Sequence, residues 1–192
     1  VTPEDLIAFE AKIAEDFEKG LIKAPVHLAG GNEQTLLDIF KNVQLDDWVC
    51  GAWRTHLHCL LKGVPPEELR KAIHDGHSIA LTFPKYKIIS SAIVGGIAPI
   101  AMGIAWAIKR RGGKEKVWCF VGDMTAMSGI YHETKRYASG HDLPIQFVIE
   151  NNGKSVCTDT EEVWGKHHNL TTMHYNYQLA WPHVGLKKWV SF

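Results

Sequence analysis

Two short apolar runs, Val117-Trp118-Cys119-Phe120-Val121 and Ile145-Gln146-Phe147-Val148-Ile149, constrain this chain more than any other feature. Uncharged runs of this length suit strands buried on both faces, which occur in parallel sheets. The residues between them, from about 129 to 139 and stopped by Gly140, read as a helix, so the three segments form a βαβ unit. A right-handed crossover makes the strands parallel and opens their C-terminal ends onto one rim of the sheet. The first run ends on Gly122-Asp123 and the second on Glu150-Asn151-Asn152-Gly153. A carboxylate and an amide oxygen, distant in sequence, thus converge where open α/β sheets collect ligands.

Each residue also has a local reading: Asp123 as a helix N-cap after a strand, Asn152 as a turn residue before Gly153. Together the two oxygens suit magnesium, which prefers oxygen ligands and usually takes the rest of its shell from phosphate and water. The implied ligand is a diphosphate. The helix start near Ser128-Gly129 adds free N–H groups and a positive dipole end beside the pair.

The fold expected is α/β, a mostly parallel sheet with helices on both faces. Thr2-Pro3-Glu4-Asp5 carries a cap, a proline at the first helical position and an acid three residues after the cap. Leu6, Phe9, Ile13 and Phe17 follow as one buried stripe, and Gly20 stops it. Residues 35–40 predict a second helix, Trp48-Val49-Cys50 a short strand, and Pro65-Pro66-Glu67-Glu68 a helix running to about His74. Residues 79–89 read as loop with a possible short strand. The uncharged stretch 92–108 approaches a membrane span in length, but Gly95, Gly96, Pro99 and Gly103 interrupt it, which favours a helix packed against the sheet. The expected organisation is one binding domain over 1–165 and an irregular or subunit-facing tail over 166–192.

Composition excludes some partners. The 192 residues hold 21 basic and 21 acidic side chains, so no broad positive field invites nucleic acid or an anionic membrane. Cys50, Cys59, Cys119 and Cys157 form no CxxC pair and read as reduced thiols of a cytoplasmic protein. Glu4, Asp5, Glu10 and Glu15 make the start unlike a signal peptide.

The segment GDMTAMSGIYHE from Gly122, continuing through LPIQFVIENN to Asn152, resembles the thiamine-diphosphate motif that opens Gly-Asp-Gly and closes Asn-Asn about thirty residues later. More narrowly it is similar to the alpha subunit of the first, decarboxylating component of 2-oxo acid dehydrogenase complexes. The likeness extends to PVHLAGGNE from Pro25, WRTHLHCLLKGVPPEEL from Trp53 and AIVGGIAPIAMGIAWAIKRRG from Ala92, in family order.

The resemblance implies that Asp123, Asn152 and the carbonyl of Lys154 hold magnesium. It places Gly122, Met124 and Thr125 against the diphosphate, Trp53-Arg54 where the family has Tyr-Arg, and Ala92 and Val94 beside the aminopyrimidine. It also implies cleavage beside the carbonyl of a 2-oxo acid or sugar, and a complementary pyrimidine-binding, beta-type subunit that supplies the activating acid within a hetero-oligomer of paired sites. A transketolase-like carbon-transfer subunit and a non-catalytic assembly or regulatory subunit are the alternatives. Departures from the pattern are Met124 for the motif's third glycine, Trp53 for tyrosine, Ser90-Ser91-Ala92 before the pyrimidine loop, and no counterpart of the family's C-terminal histidine loop.

His56 is the candidate proton-transfer residue at the mouth of the site, with a polar loop histidine as the alternative. His56 and His58 form an HxH without a neighbouring cluster that would make a metal site. His167, His168 and His174 read as solvated surface, residues 92–108 as core, and Trp181, Trp189 and Phe192 as contact surface.

Overall fold

The computed structural model describes residues 1–166 and 172–182. The chain begins with α1 (Pro3–Glu18), whose Thr2 hydroxyl accepts from the Asp5 N–H while the Asp5 carboxylate accepts from the Thr2 N–H, a complete capping box. Then follow α2 (Glu33–Phe40), β1 (Trp48–Gly51), α3 (His56–Leu61) and α4 (Pro66–Ala72), which runs into a single wide turn over Ile73–His77. Next come β2 (Thr82–Phe83), β3 (Ile88–Ser90), α5 (Ile97–Arg110), β4 (Val117–Gly122), α6 (Asp123–Ala126), α7 (Gly129–Gly140) and β5 (Ile145–Asn151). A small hairpin of β6 (Lys154–Ser155) and β7 (Thr158–Asp159), the short α8 (Thr160–Trp164) and β8 (Met173–Asn176) complete the described elements.

The main sheet has the order β2-β3-β1-β4-β5-β8, and every neighbouring pair except β2–β3 is parallel. Alternation along the strands divides the core. Trp118, Phe120 and Val148 face the layer of α1 to α4 with Leu6, Ile13, Leu36, Leu57 and Leu69. Val117, Cys119, Val121, Phe147 and Ile149 face α5 and α7, where Ile97, Ala98, Ala101, Ala105 and Ile108 lie. Both faces are therefore helix-covered, the reason β4 and β5 carry near-continuous apolar residues. The uncharged stretch resolves into a loop and α5, and no helix among the described residues is long and apolar enough to cross a membrane.

The chain leaves β1 toward β3 on one side and leaves β4 toward β5 on the other. The carboxyl ends of β1 and β4 thus flank a topological switch point, where loops diverge and leave a crevice.

Two readings need correction. The segment expected to be an irregular tail supplies β8, which pairs with β5 in the register Val148↔Met173 to Asn151↔Asn176. Trp181, expected on a contact surface, packs against the α1 to α4 core. His174 is exposed as expected, whereas His167, His168, Trp189 and Phe192 lie outside the described residues. The stretch 79–89, expected as loop with one short strand, holds two, β2 and most of β3, and α3 was not foreseen.

The segment after β8 is locked onto the Gly30-Gly31 turn. A methyl group on Gly31 (φ 87°) would sit 2.3 Å from the Gln178 carbonyl oxygen, and one on Gly30 (φ 64°) 2.7 Å from Ala180 Cβ. Gly31→Ala is expected to cost about 2 kcal/mol or more, because the left-handed backbone and the clash with a carbonyl act together. Urea denaturation checks this, and an unchanged midpoint would place the 177–182 segment elsewhere.

Candidate functional site

Four loops leaving the carboxyl ends of β1, β3, β4 and β5 line a cleft at the switch point, joined by Tyr177 just after β8. Of the residues singled out in the sequence, Trp53, Arg54, Val94, Gly122, Asp123, Met124, Thr125, Asn152 and Lys154 line it. Ala92 does not, although its neighbours Ser91 and Ile93 do.

Asp123 opens α6 directly after β4 and is only 5% exposed. Its carboxylate accepts from the Thr160 hydroxyl at 2.5 Å, and the backbone N–H groups of Asp123, Met124 and Asn152 lie near enough to favour its charged form. Asp123 and Asn152, at the ends of the two strands whose convergence the sequence implied, line the same cleft. Burial pushes the Asp123 pKa up, and the four donors offset only part of that shift. Thr160 arrives because its N–H donates to the Gly153 carbonyl at 2.9 Å, folding the β6–β7 hairpin and α8 back over the site.

Asn152 Nδ2 donates to the Tyr177 hydroxyl at 3.3 Å, and its Oδ1 accepts from the Lys154 N–H at 2.9 Å. That oxygen retains a second lone pair. Arg54, just past β1, donates from Nε to the Leu28 carbonyl at 3.2 Å, which ties it to the loop before Gly30-Gly31. Burial lowers its pKa, while Tyr177, Glu150, Glu10 and Asp123 favour its charged form. Trp53 rests against His27 with ring centroids 5.4 Å apart. Met124 stands in the short α6 helix, outside the positive-φ positions, so the motif's third glycine is replaced without backbone strain.

His56 is a correction. It is fully buried in α3, with Nε2 2.9 Å from Ser78 Oγ and Nδ1 3.6 Å from Glu10 Oε1, and it does not line the cleft. Helix α3 begins at His56, with Thr55 as its capping residue, and turns the chain inward, so position 54 faces the rim while position 56 enters the core. No group of three or more His, Cys, Asp or Glu among the described residues could hold a metal, which leaves the HxH without one.

Sequence reasoning missed Glu150 and Tyr177. Glu150 lines the cleft at the end of β5, accepts from the Tyr175 hydroxyl at 2.5 Å and lies 3.3 Å from His58 Nε2. Its place before Asn-Asn was a usable signal. Tyr177 had none, since it follows a strand too polar to read as one.

The sequence matches the family described as dehydrogenase E1 component over residues 4–171. The chain belongs to that family. Curated relatives of this E1 chain include the alpha subunit of acetoin:2,6-dichlorophenolindophenol oxidoreductase of Cupriavidus necator, 32% identical over 163 residues, 80% of this chain and 49% of that one. Its Bacillus subtilis namesake is 29% identical over 167 residues, covering 82% and 50%. The pyruvate dehydrogenase E1 component subunit alpha of Porphyra purpurea is 29% identical over 161 residues, covering 75% and 47%. The chain spans about half the length of these relatives.

Proposed function

We propose that this E1 chain is an alpha-type subunit that binds thiamine diphosphate through magnesium and acts with a beta-type subunit beside the carbonyl of a 2-oxo acid. The observation that carries this reading is the convergence of Asp123 and Asn152, from the ends of β4 and β5, on the switch-point cleft, with Arg54 on the same walls. Asp123, Asn152 Oδ1 and the Lys154 carbonyl would hold magnesium. The donor set fits, because all three are hard oxygens and a desolvated carboxylate gains from a divalent cation. Arg54 would take a phosphate oxygen, and Met124 and Thr125 would flank the diphosphate. Bound thiamine diphosphate supplies an electron sink for cleavage next to the carbonyl. The chain's own residues bind and orient the cofactor, and the apolar wall of Ile93, Val94 and Ile97 keeps water from one side of it.

A partner is supported by what the rim exposes. Ile93 is 74% and Val94 54% exposed, with Ile130 beside Gly95. Apolar side chains grouped at the mouth of a cleft mark a surface that another chain covers. The relatives named as alpha subunits agree with a paired, beta-type chain and a hetero-oligomer. Three buried free thiols fit a cytoplasmic setting. Mixing this chain with a beta-type subunit, thiamine diphosphate and magnesium should give pyruvate decarboxylation or acetoin oxidation coupled to dye reduction. Equal turnover by this chain alone would contradict the reading.

A further inference from the structure

We propose that Tyr177 is a diphosphate-binding residue, its phenolic hydrogen donated to an oxygen of the ligand held by Asp123, Asn152 and Arg54. Tyr177 lies beyond residues 4–171, the part matched to the family, so it is argued from the fold alone. The inference rests on the cofactor reading proposed above.

Placement comes first. The Tyr177 N–H donates to the Asn151 carbonyl at 2.9 Å, and Asn151 Nδ2 donates to Asn176 Oδ1 at 2.8 Å. Two residues earlier, the Tyr175 hydroxyl donates to Glu150 and accepts from Asn32 Nδ2 at 3.0 Å. On the other side, Gln178 and Ala180 press on the Gly30-Gly31 turn at distances that exclude a side chain there. Tyr177 is thus fixed from both directions, and its ring lines the cleft.

The hydroxyl's bonding supplies the second step. It accepts from Asn152 Nδ2, which commits a lone pair and leaves the O–H hydrogen to be given elsewhere. A tyrosine phenol keeps its hydrogen at neutral pH, so the hydroxyl remains a donor. A neutral donor in a half-buried cleft beside a guanidinium and a carboxylate is suited to an anionic oxygen, and its link to Asn152 also holds that amide with Oδ1 turned away from the ring.

The test is calorimetric titration of the full chain with two probes, magnesium thiamine diphosphate and magnesium pyrophosphate, in the parent and in Tyr177→Phe. The expected result is affinity weaker by about 10-fold or more for both probes, with the ligand-free chain still folded despite the lost Asn152 bond. Equal affinity in parent and variant overturns the assignment while leaving the cofactor reading intact. If the parent binds neither probe, the cofactor reading fails and takes this inference with it. Should the variant not fold, the parent gives a second measurement. Magnesium pyrophosphate should red-shift the tyrosine absorption difference spectrum, a change that Tyr175→Phe retains, and its absence overturns the proposal.

Discussion

Asp123→Ala is expected to weaken magnesium-dependent binding of thiamine diphosphate by about 3–5 kcal/mol, a hundredfold to several-thousandfold, as when one partner of a buried charge pair is removed. The carboxylate is the single anionic oxygen proposed for the metal, and it sits almost out of contact with water at the end of β4. Without it the diphosphate meets Glu150 across the cleft with no bridging cation at the β4 end. The substitution also strips an acceptor from the buried Thr160 hydroxyl, at a cost of about 1–3 kcal/mol of stability. Circular dichroism must therefore show the variant folded before its affinity is compared. A folded Asp123→Ala chain that binds as tightly as the parent would remove Asp123 from the site.

Arg54→Lys is expected to weaken binding by about 1.5–3 kcal/mol, roughly 10- to 100-fold, although the charge is kept. The guanidinium is pre-oriented by its Nε bond to the Leu28 carbonyl, and its planar fork suits phosphate oxygens. An ammonium can hold the carbonyl or reach the phosphate, but has no fork with which to do both. Arg54→Ala should lose more, because the acidic groups that favour its charge, Glu150, Glu10 and Asp123, would then face the anion without compensation. Comparable affinities across parent, lysine and alanine forms, measured by the same titration, would place Arg54 in a structural role only.

The part of the fold legible in the sequence is the part whose residues are set by burial alone. Strands β4 and β5 are central and covered on both faces, so Val117 to Val121 and Ile145 to Ile149 could hardly be anything else. Strand β8 is the opposite case. It stands at the sheet edge with Met173, His174 and Asn176 exposed, and its pairing comes from backbone bonds to β5 that leave no apolar mark. The two short strands β2 and β3 and the six-residue α3 are brief enough that long-range pairing, not local pattern, decides them.

The site divides in the same way. Asp123 and Asn152 were legible because strand ends fix where they point, and Arg54 through the likeness of Trp53-Arg54 to the family's Tyr-Arg pair. His56 was misplaced because its direction depends on α3, a six-residue helix that no local pattern announced. Tyr177 depends on β8 being a strand at all, and Ala92 on the course of a loop between β3 and α5. These are consequences of tertiary packing, which a single chain's pattern does not encode locally.

The central claim, that the switch-point cleft binds thiamine diphosphate through magnesium, is tested most directly by calorimetric titration of the full chain with thiamine diphosphate. It is run in magnesium, in chelator, and in magnesium with a beta-type subunit added. The account predicts saturable binding in magnesium, its loss in chelator, and tighter binding when the partner covers the rim. Affinity that is the same in magnesium and chelator, or no binding under any of the three conditions, would contradict it.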